Sequence, residues 1–143
     1  MLTVALAAAL VQALPIPVPI PVAAADWRIA AVTPGSWTYR VSPGGAEALF
    51  GDPGAPRLVI RCALASRQVT IVAPGGARSN PLRIMTSSVE RVLPAGDMLG
   101  AFDPLLDAIA FSRGRFAVRA EGSAVLIIPA WPEPARIVED CRK

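Results

Sequence analysis

Between Trp37 and Phe102 the chain never runs far before a turn signal interrupts it. The strand-length stretches "SWTYRV", "AEALF", "RLVIRC", "QVTIV", "LRIMTSS" and "VERVL" are separated by Pro-, Gly- and Asp-rich breaks such as "SPGG", "GDPGAP" and "APGGARSNP". Proline removes a backbone donor and glycine admits left-handed turns, so each break limits the extended segment before it. Turns at this spacing predict an antiparallel β-sandwich or small barrel of about seven to nine strands. A parallel α/β fold needs a helix between successive strands, and no stretch in this region is long enough for one. The fold class is therefore mainly β.

Two stretches depart from the strand pattern. In "DPLLDAIAFSRGRFAV", Asp103 suits an N-cap and Pro104 the first helical position. Leu105, Leu106, Ile109 and Ser112 then follow helical spacing, and Gly114 supplies the left-handed residue that commonly ends a helix. Beyond it Phe116, Val118 and Ala120 alternate with Arg115, Ala117 and Arg119, a strand expected to turn at Glu121-Gly122-Ser123 and return as "AVLII". At the C-terminus "WPEPARIVEDCRK" reads as a second helix. Its prolines are tolerated in the first turn, Pro134, Ile137, Val138 and Cys141 lie on one side, and the pairs Arg136–Asp140 and Glu139–Lys143 on the other. One short helix before the last hairpin and one C-terminal helix complete the expected architecture.

The chain has 143 residues, 53% of them hydrophobic and 17% charged, and residues 1–25 carry no charge. The apolar run that opens this segment has the length of a signal-peptide core and falls short of a membrane span. Small-residue cleavage patterns occur at Val11-Gln12-Ala13 and at Ala23-Ala24-Ala25. Between them "LPIPVPIPV" alternates proline with branched apolar residues, which forbids helix and central strand and favours a polyproline II tether. The missing Lys or Arg at the start is the one departure from a signal peptide, and suits a start internal to a longer leader. Residues 1–25 are thus read as signal peptide plus Pro-rich tether, and residues 26–143 as a single β-rich domain, periplasmic or secreted, with no membrane span once the leader is removed.

In "RLVIRCALASRQVTIVA" Leu58, Ile60 and Cys62 alternate with Arg57, Val59 and Arg61, a turn follows at Ser66-Arg67, and Val69, Ile71 and Ala73 return along the partner strand. Cys62 thus shares a core-facing side with Leu58 and Ile60, as Cys141 does with Ile137 and Val138. Two cysteines in an exported chain, each on the apolar face of its element, predict a Cys62–Cys141 disulfide. Two buried free thiols are the alternative. A metal or redox pair fits less well, because two lone cysteines supply half a zinc site and no Cys-x-x-Cys is present.

The absence of histidine removes the commonest general base, the usual metal ligand and the familiar Ser/His and Cys/His nucleophile arrangements. No cofactor and no metal is expected. The net charge of +3 comes from 14 basic residues, 13 of them arginine, dispersed among 11 acidic ones, a pattern unlike the concentrated basic elements of nucleic-acid binders. If their strands are neighbours, Arg57, Arg61, Arg115 and Arg119 would form a band suited to phosphate or carboxylate. Otherwise these arginines lie on solvated sheet faces paired with Glu47, Glu90 or Glu121. Trp131 is a possible aromatic contact for such a band, and Trp37 is expected in the core or at its rim. Asp103, Asp107 and Glu133 are the carboxylates that a histidine-free glycan hydrolase would use. The hydroxyls of Thr86, Ser87 and Ser88 have no base nearby in sequence, and Gly44-Gly45 and Gly75-Gly76 read as turn glycines.

Together "DWR", "TPGSWTYR", "LVIRC", "TSSVERVLPA", "DPLLDAIAFSRGRFAV" and "PAWPEPARIVEDCR" resemble a set of small uncharacterised exported proteins of Gram-negative bacteria. The last two stretches are the most specific. A fainter resemblance exists to periplasmic accessory proteins of type VI secretion, which also place one cysteine after an early apolar strand and another near the C-terminus. The resemblance implies an exported β-rich domain and assigns no activity. The expected role is a non-enzymatic, envelope-associated binding or accessory domain whose partner is an envelope protein or polymer. An anion- or glycan-binding module is the alternative, and a carboxylate-based glycan hydrolase comes third.

Overall fold

A computed structural model describes residues 26–74 and 80–143. The leader, both cleavage patterns, the proline-alternating stretch and Gly75-Gly76 lie outside the described residues. These form β1 (Ser36–Ser42), β2 (Gly45–Asp52), β3 (Ala55–Ala63), β4 (Gln68–Val72), β5 (Leu82–Met85), β6 (Glu90–Leu93), β7 (Met98–Gly100), α1 (Pro104–Ala110), β8 (Arg115–Ala120), β9 (Leu126–Pro129) and α2 (Pro132–Arg142). The strands build two antiparallel sheets, one ordered β1-β2-β3-β4-β7 and the other β6-β5-β8-β9. Neither closes into a barrel, so the fold is a sandwich.

The first four strands form a meander joined by tight turns. Gly45 shows why one of these turns needs glycine, since a Cβ there would lie 1.9 Å from the carbonyl oxygen of Cys62 on β3. After β4 the chain crosses to the second sheet for β5 and β6, then returns to add β7 beside β4, with Val69 opposite Leu99. β7 has no counterpart among the strand-length stretches of the sequence. Three residues carry too little alternation to register, and the strand exists because Leu99 reaches the shared core.

Inward-facing residues of both sheets interdigitate, as in sandwiches generally. Leu58, Ile60 and Cys62 of β3, Val69 of β4, Ile84 of β5, Phe116 and Val118 of β8 and Ile128 of β9 are all buried in one continuous core. Trp37 joins the sheets, with its ring centroid 5.4 Å from that of Phe50 and 6.5 Å from that of Phe116. Its Nε1 donates to the carbonyl of Pro129 at 2.8 Å. The expected alternation along β8 is only half met, because outward-facing Ala117 is buried as well. The segment before β1 accounts for this. Arg115, on the same strand face as Ala117, donates to the carbonyl of Ala30. Thr33 meanwhile clasps Ile127 through two backbone-directed bonds of 2.8 and 2.9 Å.

Helix α1 begins as the sequence implies: the Asp103 carboxylate accepts from the Leu105 amide at 2.9 Å. Both carboxylate oxygens also accept from Arg91, at 2.8 and 2.9 Å, which ties the cap to β6. The helix end differs from expectation. α1 stops at Ala110 with Phe111 as its C-cap, and Gly114, at φ +72°, forms the turn into β8 instead. The tether between Ser112 and the "TSS" turn explains the early stop. Ser112 Oγ donates to the Arg115 carbonyl and accepts from the Ser87 amide, while the Arg113 amide donates to Ser87 Oγ.

Helix α2 lays Pro134, Ile137, Val138 and Cys141 on the first sheet, and Cys141 is bonded to Cys62 at an S–S distance of 2.09 Å. Its expected polar pairs are replaced by contacts to β1. Tyr39 donates to Asp140 at 2.6 Å, and the Arg136 guanidinium sits 3.8 Å from the Tyr39 ring centroid. Asp140 also pairs with Lys143 at 2.7 Å. A strand tyrosine beneath the helix offers both a hydroxyl and a π-face, which outcompete pairing within one exposed helix. No helix among the described residues is long and apolar enough to cross a membrane.

Candidate binding surface

Alternation along β3 turns Arg57, Val59 and Arg61 away from the core, where Arg61 enters a cross-strand row with Glu47 and Arg40. Arg40 donates to one Glu47 carboxylate oxygen at 2.7 and 2.8 Å, and Arg61 to the other at 2.5 Å. Glu47 is 5% exposed although it faces away from the core, because both guanidinium groups close over it. Burial works to raise its pKa, but the hydrogen bonds and charges of Arg40 and Arg61 outweigh that and hold the carboxyl below its ordinary value. A carboxyl depressed on folding stabilises the fold above its unfolded pKa, and that contribution is lost as pH falls through the folded value. Urea unfolding followed downward from pH 4.5, the ordinary value, should therefore show the wild type losing stability more steeply than Glu47→Gln. Coincident pH profiles would mean that the ion pairs contribute nothing.

The other arginines lie elsewhere. Arg57 is exposed beside Gly51, where the β2–β3 register shifts. Arg115 and Arg119 belong to β8 in the second sheet, where Arg115 is held by the Ala30 carbonyl and Arg119 stands directly opposite Arg83 of β5. Because β3 and β8 are in different sheets, the neighbour condition for a four-arginine band is not met. Strand faces are readable from alternation, but sheet membership is not. Of the expected carboxylate partners, Glu47 does bind Arg61, Glu90 binds Arg83 at 2.5 Å, and Glu121 contributes its backbone carbonyl to Asn80. Trp131 is the N-cap of α2 and 45% exposed, while Trp37 is in the core.

The remaining carboxylates have structural partners or stand apart. Asp103 caps α1 and binds Arg91, and Asp107 pairs with Arg142 at 2.9 Å, locking α1 to α2. Glu133 lies in the first turn of α2 with one carboxylate oxygen buried and without a hydrogen-bond partner. Thr86, whose hydroxyl is engaged by Val89, shapes the β5–β6 turn. Among the described residues no group of three or more His, Cys, Asp or Glu side chains is placed to hold a metal ion.

Two hollows adjoin at Ala73 and Pro74. The first, about 450 Å³, opens along β3 and β4 and is lined by Val59, Arg61, Thr70 and Val72, with Asn80 and Asp97 across from them. The second, about 630 Å³, lies between the β2–β3 and β8–β9 turns and is lined by Pro56, Arg57, Ser123 and Leu126. Arg57 and Arg61, expected from the sequence to share a face, thus each border one of two neighbouring hollows. Their walls mix exposed apolar side chains with a few charged and amide groups, a composition suited to binding. Glu47, the centre of the adjacent ion-pair row, figured in the sequence analysis only as a partner. Its signal was the one acidic residue in the otherwise apolar stretch "AEALF".

Comparison with protein-family models, with curated proteins and with solved structures finds no match for this chain.

Proposed function

We propose that this protein is a non-enzymatic binding domain of the cell envelope, exported through its N-terminal leader, whose adjoining hollows beside β3 and β4 accept a segment of an envelope protein or polymer. The observation that supports this reading most is the Cys62–Cys141 bridge. Structural disulfides persist in oxidising compartments and are rare in the reducing cytosol. The histidine-free composition and the structural engagement of Asp103 and Asp107 favour binding over hydrolysis. The test is a pull-down from envelope extract with the wild type and with an Arg57→Glu, Val72→Glu variant, both sites being exposed. A defined species enriched by the wild type should fall at least about tenfold with the variant at unchanged Tm, a binding loss of about 1.4 kcal/mol. Equal recovery by both proteins would remove the hollows from the account.

A second reading, an anion- or glycan-binding module, is favoured by one feature. Arg83 and Arg119 face each other across β5 and β8, and like charges at opposed positions are unfavourable unless something negative lies between or beside them. Glu90 serves Arg83, and no ion pair involves Arg119 among the described residues. Reversing both charges in Arg83→Glu, Arg119→Glu should abolish retention on a polyanionic or acidic-glycan matrix at low salt, with neutral glycan as the control. Unchanged retention would eliminate this reading.

A further inference from the structure

The β2–β3 hairpin carries a bulge near its turn. Phe50 pairs with Leu58 and Gly51 with Pro56, which leaves Arg57 as an extra residue without a partner on β2. A bulge bends its strand and re-aims a side chain, and bulges are frequent next to active sites. This one needs glycine across from it: Gly51 holds φ +112°, and a Cβ there would lie 3.1 Å from the Arg57 amide nitrogen. Arg57 thereby lines the hollow between the β2–β3 and β8–β9 turns. All 11 acidic side chains of the chain lie among the described residues, and none forms an ion pair with Arg57. Asp52, on the same hairpin, accepts from the Gly54 amide at 2.9 Å instead.

That hollow opens onto the core. Val118 and Ala120 of β8, which line it, belong to the buried core, and Ala73, just after β4, and Leu126 of β9 pack against that core. Of the described residues around the hollow, Arg57 and Ser123 alone carry polar side chains. Its volume of about 630 Å³ and its apolar walls with one charged group are those of a ligand pocket. Apolar surface left in water favours an apolar occupant, and an uncompensated guanidinium beside it favours one that carries a carboxylate. The hollow along β3 and β4, which meets this one at Ala73 and Pro74, differs in chemistry, because Thr70, Asn80 and Asp97 offer donors and acceptors there. Those groups match a peptide backbone, whereas an acyl chain would leave them unpaired.

We propose that this end of the sandwich binds the C-terminus of a polypeptide. The terminal carboxylate sits on Arg57, an apolar last side chain fills the hollow over Val118 and Leu126, and the preceding residues run along β3 and β4 past Thr70 and Asn80. This rests on the binding reading above and narrows its ligand from a segment of an envelope protein or polymer to a free chain end. A guanidinium holds a carboxylate through two parallel hydrogen bonds, which an internal peptide bond cannot reproduce, so Arg57 selects the end of a chain over its middle.

The test is calorimetric titration of the protein with an acetylated pentapeptide of four alanines and a C-terminal phenylalanine. The free acid should bind at least about tenfold more tightly than either its C-terminal amide or the acid in which serine replaces the phenylalanine. Arg57→Ala should erase the preference for acid over amide and Arg57→Lys should keep part of it, both at unchanged Tm because Arg57 is exposed. Equal affinity for acid and amide overturns the proposal, as does an absence of binding or an acid preference that survives Arg57→Ala. Decanoate bound as tightly as the peptide assigns the site to an acyl carboxylate and also overturns it. The envelope pull-down judges the broader reading separately. Capture that depends on Arg57 and Val72, together with a failed peptide titration, leaves a binding domain that does not read chain ends, whereas failure of both experiments removes both.

Discussion

Replacing both bridged cysteines with alanine should lower the unfolding free energy by about 4.5 kcal/mol, the chain-entropy value for a cross-link spanning 79 residues. Domains of this size have a net stability of about 5–15 kcal/mol, so the loss would remove much of the total. The location of the bridge makes the consequence specific. Cys141 closes the buried face of α2 on β3, and without the cross-link that helix is held by Ile137, Val138, Pro134, the Tyr39–Asp140 bond and the bonds of Arg142 to Asp107 and the Ala101 carbonyl. Urea unfolding should show a lower midpoint together with a larger m-value, because an uncross-linked unfolded chain exposes more surface. A double variant within 1 kcal/mol of the wild type would show that helix docking is independent of the bridge.

Phe116→Ala should cost about 3–5 kcal/mol, the range for truncating a buried aromatic. Phe116 is fully buried in β8, which pairs with both β5 and β9, and its ring stacks on Trp37 from the opposite sheet. The cavity would therefore open where the two layers meet, a place neither sheet can collapse into without moving the other. Phe111, five positions earlier, provides the control. It caps α1 while 76% exposed, and Phe111→Ala should stay within about 0.5 kcal/mol of the wild type. Equal losses for the two substitutions would mean that the sandwich core is not centred on Trp37, Phe50 and Phe116.

Features carried by local chemistry were legible in the sequence. The meander β1 to β4, the Asp103 cap, the β8–β9 hairpin and both helices follow from alternation, helical spacing and turn residues. The cysteine pairing was legible too, because each cysteine shared a face with apolar neighbours. Features that depend on which surfaces meet were not legible. β7 is too short to show a period, the Tyr39 contacts displace the helix pairs expected of Arg136 and Asp140, and the Ser87–Ser112 tether ends α1 ahead of Gly114.

The arginines mark the boundary between the two kinds of information. That Arg57 and Arg61 share one face, and Arg115 and Arg119 another, follows from the two-residue period of a strand and needs no tertiary knowledge. Whether the two faces combine depends on where the chain crosses between sheets. It crosses after β4, returns for β7 and crosses again through α1, which leaves β3 and β8 in opposite layers. Periodicity is a property of consecutive residues and so survives in the sequence. Sheet membership is decided by the best joint burial of Trp37, Phe50, Phe116 and the apolar face of α2, a global minimisation that no local stretch encodes.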